Sequence, residues 1–90
     1  MVPASASELL ERANAARRRA EFARADEIYA RCSDADLPER ALVRFERARL
    51  LTADQPEEAR QLAADALAVL RAAGDGYQKE ATTIAAYLAR

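Results

Sequence analysis

Cys32, the run Arg17-Arg18-Arg19 and the carboxylates of Asp36, Asp54 and Asp75 are the residues whose type and spacing could do chemistry. A thiol attacks or binds metal only as the thiolate, which needs a basic or cationic neighbour. The chain contains no His, so the commonest general base and the commonest metal ligand are both missing. Cys32 therefore reads as a small core residue. Being the single Cys, it cannot form an internal disulfide, which fits a reducing compartment. The arginine run could meet acidic groups, but at the end of a helical stretch it also complements the negative pole of the helix dipole. With no interleaved aromatic residue and a net charge of −1, it is not expected to bind nucleic acid. Asp36, Asp54 and Asp75 stand at helix-start signals and read as caps, not as acids or bases. Only two glycines occur, on either side of Asp75, so no phosphate-cradling loop is possible. No catalytic residue, metal site or cofactor is expected, and the chain does not read as an enzyme.

The elements that would position these residues are helices. Ninety residues make one domain with a limited core, and 51% of them are hydrophobic while only 6% are aromatic. Most of that apolar content is alanine, which favours helix and close helix contacts but buries little area per residue. No apolar run approaches the roughly 20 residues of a membrane span, and Met1 to Ser7 lacks the basic and apolar parts of a secretory signal. The composition predicts an all-α, soluble, cytoplasmic protein with no membrane partner.

Four places pair a cap residue with Glu or Gln three positions on: Ser5 with Glu8, Asp36 with Glu39, Asp54 with Glu57 and Asp75 with Gln78. In a capping box the first side chain accepts from an orphan backbone N–H and the second reaches back to the cap. Pro38 and Pro56 follow two of these caps, where a missing N–H costs nothing. Helix starts are expected near Ala6, Leu37, Gln55 and Gly76. Gly74 is expected to end the third of these segments in a left-handed cap.

The first segment, Ala6 to Cys32, contains no Gly or Pro, yet its apolar stripe changes direction. Leu9, Ala13, Ala16 and Ala20 share one side of an ideal helix, whereas Phe22, Ala25, Tyr29 and Cys32 lie about half a turn round at ~100° per residue. A turn at about Arg18 to Glu21 would fold the second stripe onto the first. A continuous helix would instead give a four-helix bundle with a long first member. Farther on, Leu42, Phe45, Leu50 and Leu51 mark one apolar face, and Ala59, Leu62, Ala63, Ala66, Leu67 and Leu70 mark another. Tyr77, Ala81, Ile84, Ala85 and Leu88 mark the last, with Tyr87 and Ala86 off the stripe. Phe22, Ala25, Tyr29 and Cys32 recur about thirty-four residues on as Pro56, Ala59, Ala63 and Ala66, an interval that suggests stacked helical hairpins.

The stretch from Glu8 to Asp34 resembles a tetratricopeptide repeat (TPR). Leu9 and Ala13 match the large and small positions of the family's first helix, and Phe22, Ala25, Tyr29 and Cys32 match its second. Ala20 replaces the usual turn glycine. Pro38 to Ala73 forms a weaker copy, in which Ala59 and Ala66 fit and Arg47 falls where a small residue is expected. Tyr77, Ala81 and Ile84 look like the first helix of a third repeat. The resemblance implies antiparallel hairpins stacked as a short solenoid of about five helices across 1–90, with repeats at about 6–34 and 37–73 and a capping helix at 76–89.

It further implies a protein–protein interaction module, an adaptor or scaffold whose concave groove holds a peptide or helix of another protein. The groove positions would be Ser7, Leu10, Asn14, Arg17 and Arg18, then Arg44, Ala48 and Leu51, then Gln78 and Thr82. Asn14 matches the asparagine with which some family members clamp a C-terminal carboxylate, but Leu10 stands where that clamp needs a Lys. An acidic or mixed peptide met by Arg17, Arg18 and Arg44 fits better. The alternatives are a self-assembly module, burying the half-repeat against a second copy as a homodimer, and the terminal fragment of a longer regulator.

Overall fold

The computed structural model describes residues 6–32 and 37–90, for Ala6 and Ser7 the backbone alone. Helices α1 (Ala6–Arg18), α2 (Phe22–Cys32), α3 (Pro38–Leu51), α4 (Pro56–Ala73) and α5 (Gln78–Leu88) follow one another, with a 3-10 turn over Asp75–Tyr77 and no strand among the described residues. Each helix packs on the next in the chain, α1 on α2, α2 on α3, α3 on α4 and α4 on α5. The result is a slab of 48 × 31 × 20 Å. The expected all-α class is what forms.

The break in the first apolar segment is present, and the long-first-helix alternative does not form. The Glu21 N–H donates to Ala16 O and the Ala20 N–H to Arg17 O, at 2.9 and 3.0 Å. That crossed pair is a Schellman ending, which places its outer residue in left-handed backbone. Ala20 occupies that place with φ 61. An L-residue there carries a clash between its Cβ and a carbonyl worth roughly 1–2 kcal/mol. Ala20→Gly should therefore stabilise the chain by about 0.5–1 kcal/mol, after subtracting the extra freedom glycine gives the unfolded state. A urea midpoint that falls in this variant would contradict the turn geometry.

Pro38 and Pro56 do start helices, but among the described residues neither Asp54 nor Asp75 caps one. Leu37 and Gln55 occupy the cap positions without a side-chain hydrogen bond, which leaves Asp54 one residue too early to cap. Asp75 falls inside the 3-10 turn, and Tyr77 precedes α5, again without a capping side chain. Ser5 and Asp36, the remaining expected caps, lie outside the described residues. Gly74 has the expected positive φ of 98, but its ψ of −163 is not the left-handed helical value. That pairing is open essentially to glycine alone.

Two apolar clusters hold the helices. The smaller joins Ala13, Ala16, Ala25 and Tyr29 of the first hairpin to Val43 of α3. The larger runs from Ala41, Phe45 and Ala48 across Ala59, Ala63, Ala66, Leu67 and Leu70 to Ile84 and Tyr87. Alanines at 0% exposure, Ala25 and Ala59 among them, let helices approach closely. Leu70 and Ile84, also at 0%, supply about 1.5–3 kcal/mol each. Some expected placements differ. Leu50, assigned to the apolar face, is 70% exposed, because Ala41, Phe45 and Ala48 set the buried side of α3. Tyr87, read as off the stripe, is buried instead. Its ring meets Phe45 edge-on at 5.5 Å, and its hydroxyl shares a hydrogen bond with Thr52. Cys32 is only half-buried, with its Sγ donating to Ile28 O.

Candidate functional site

A groove of about 300 Å³ crosses α1, α3 and α5. Arg17 comes from α1, Leu42, Val43, Phe45, Glu46 and Arg49 from α3, and Glu80 and Thr83 from α5, with Phe22 at the edge. A smaller hollow continues it through the shared residues Phe45, Arg49 and Thr83 to Thr52, Tyr87 and Arg90. The floor is apolar and aromatic, and the rim is charged with both signs. Arg49 stands over the Phe45 ring at 5.7 Å and Arg90 over the Tyr87 ring at 5.9 Å. Each guanidinium covers one face of a buried ring, Phe45 or Tyr87, and is attracted by the ring's quadrupole while its N–H groups remain able to donate. Arg49 also pairs with Glu46 at 3.2 Å, an exposed pair worth little to stability.

The residues expected to line a groove are spread over several surfaces. Arg17 lines the groove just described. Asn14 accepts a hydrogen bond from the Tyr29 hydroxyl, so its carbonyl braces α1 against α2. Burial pushes the Tyr29 phenol above its ordinary pKa, which keeps it a donor. Leu10 is 39% exposed on α1, and Arg18 is exposed at that helix's end. Gln78 and Thr82 border a separate hollow with Leu70, Arg71 and Ala81, between the end of α4 and α5. Ala48 is in the core at 0% exposure. Ser7 lies where side chains are not described.

Arg44 belongs to a feature the sequence reading missed. Asp26 of α2 is 4% exposed and faces three arginines of α3. Arg40 Nε donates to Oδ1 and Arg47 Nη1 to Oδ2, each at 2.6 Å, while Arg44 Nε stands 3.5 Å from Oδ2. Positions 40, 44 and 47 follow i, i+4, i+7 and so share one helix face. Burial alone would raise the Asp26 pKa, but the Arg40 and Arg47 hydrogen bonds and the Arg40 and Arg44 charges outweigh it and hold the carboxyl below its usual value. Arg44 Nε is buried and makes no hydrogen bond. The available signal was Arg47 itself, a charged residue where packing wants a small one. Its partner gave less away, because an acid beside Ala25 on a short helix reads as solvent-facing.

Among the described residues no group of three or more Cys, Asp or Glu could hold a metal ion, and no helix is long and apolar enough to cross a membrane. Compared with models of protein families, with curated proteins and with solved structures, the chain matches none.

Proposed function

We propose that this chain is a protein-binding module, an adaptor that holds a peptide or helix of a partner protein in the groove across α1, α3 and α5. The observation that carries the reading is the groove's make-up: Leu42 and Phe45 below, Arg17, Glu46, Arg49 and Glu80 around. An apolar floor with a charged rim suits one anchoring apolar side chain and flanking polar residues of mixed charge. On this reading the helices are TPR-like hairpins, and α1, α3 and α5 are the first helices whose faces line the concave side. The short connection at Ala20 and the buried Ala25 and Ala59 at matching places support that arrangement.

Thr83 offers the cleanest test, since it is exposed, lines the groove and donates only to Lys79 O of its own helix. Peptides selected from a displayed library on the native chain should lose about tenfold or more in affinity for Thr83→Trp, which fills the groove. Helix content should not change. Peptides that bind both forms equally would show that the groove is not where partners sit. In the self-assembly alternative Tyr87 and Ala86, off the main stripe of α5, are the candidates for contact with a second copy, and Tyr87 is already packed against Phe45 and Thr52. Sedimentation equilibrium across a wide concentration range distinguishes the two readings.

A further inference from the structure

The α2–α3 seam carries a second surface, distinct in place and chemistry from the groove. Arg40, Arg44 and Arg47 surround one carboxylate, which leaves two positive charges in excess on a chain whose net charge is −1. Arg40 and Arg47 hydrogen-bond to Asp26; Arg44 does not. Yet the Arg44 side chain is 28% exposed, so a group arriving from solvent can meet it. Beside this cluster lies a hollow of about 550 Å³ between the start of α2 and the end of α3. Phe22, Ala23, Leu50 and Leu51 give it an apolar lining, joined by Arg47 and by Glu21 and Arg24, which pair with each other at 3.6 Å and so leave the excess charge with the α3 arginines. Leu50 is 70% exposed there, a large apolar side chain beside a cation-rich seam.

We propose that this surface docks an acidic segment of a partner protein, with an apolar side chain in the Leu50 hollow and a neighbouring carboxylate on Arg44 and Arg47. Charge complementarity selects the occupant. A carboxylate at the exposed part of the Arg44 side chain offsets positive charge that Asp26 alone leaves unbalanced, and guanidinium groups bind it through charge-assisted hydrogen bonds. A basic segment would be repelled by the excess charge, and a purely apolar one would leave it unanswered.

The test is a titration of the isotopically labelled chain, followed by amide NMR shifts, with a blocked five-residue peptide holding leucine between glutamates. The Leu50 and Arg44 amides should move, and binding should weaken as salt rises. Arg44→Gln should reduce affinity by about tenfold while the urea midpoint holds, because Arg40 and Arg47 still hold Asp26. Leu50→Ser should reduce it similarly. A glutamine version of the peptide that binds as well would overturn the proposal. So would inorganic phosphate moving the same amides to the same extent, since the hollow would then have no part. Shifts confined to Arg17, Phe45 and Thr83 would overturn this surface and leave the groove reading in place.

Discussion

Replacing Asp26 with Ala should cost about 3–5 kcal/mol, the usual result of removing one partner from a buried ion cluster. Three guanidiniums on one face of α3 would then stand side by side at the seam without the carboxylate that neutralises them. A chain of this size has only about 5–13 kcal/mol in all, so much of the variant should be unfolded by urea concentrations that leave the native chain intact. Acid should show the same linkage. The folded state holds the Asp26 pKa below its ordinary value, so the ionised form is favoured in the folded chain. The stabilisation is complete above the unfolded value near 4 and disappears as pH drops through the lower folded value. Urea midpoints should be level from pH 7 to about 5 and decline below about 4, and Asp26→Ala should lack its share of that decline. A variant as stable as the native chain would mean that solvent, not Asp26, balances the arginines.

Tyr29→Ala should be comparably severe, at about 3–5 kcal/mol, the range for truncating a buried aromatic residue. Its ring is 1% exposed between α1, α2 and Val43, and the mutation also strips Asn14 of its donor. Tyr29→Phe isolates the hydroxyl and should cost about 1–2 kcal/mol, because a half-buried carbonyl loses its partner. Phe22, by contrast, is half-buried at the margin of the same cluster. Phe22 shares the apolar stripe of α2 with Tyr29, but its half-buried position reduces the expected cost of Phe22→Ala to roughly 1–3 kcal/mol. Chemical denaturation of the three variants orders these effects, and a Phe22→Ala midpoint below that of Tyr29→Ala would reverse the assignment.

Helix identity was legible from local signals, whereas partner choice between helices was not. Pro38, Pro56 and Gly74 mark ends because their backbone restrictions act within a few residues. The turn at Ala20 could be inferred without a breaker residue, since two stripes facing opposite ways cannot both be buried by one straight helix. The capping boxes failed where the chain used other means. Pro56 and Pro38 remove a donor instead of satisfying it, and the 3-10 turn at Asp75–Tyr77 carries the chain into α5. Tyr87 lies off the stripe because its partners, Phe45 and Thr52, come from α3 and its end, not from the neighbouring α4. Asp26 and its arginines were hidden for a related reason. Helical spacing shows that positions 40, 44 and 47 share a face, but it cannot show that a carboxylate from another helix lies opposite. In the groove, Arg17 was placed by its register on α1, while Glu46, Arg49 and Thr83 depend on how α3 and α5 are rotated.

The alanine seams set an unusual rule for which changes the chain can accept. Where helices meet through Ala13, Ala25, Ala48, Ala59 and Ala63, each 0% exposed, a larger side chain would have to displace packed neighbours. Adding methyl groups there forces helices apart, at about 1–3 kcal/mol per site. Drift in this sequence is thus bounded from above by size more than from below by hydrophobicity, and its least variable positions would hold alanine, a small residue and its commonest one.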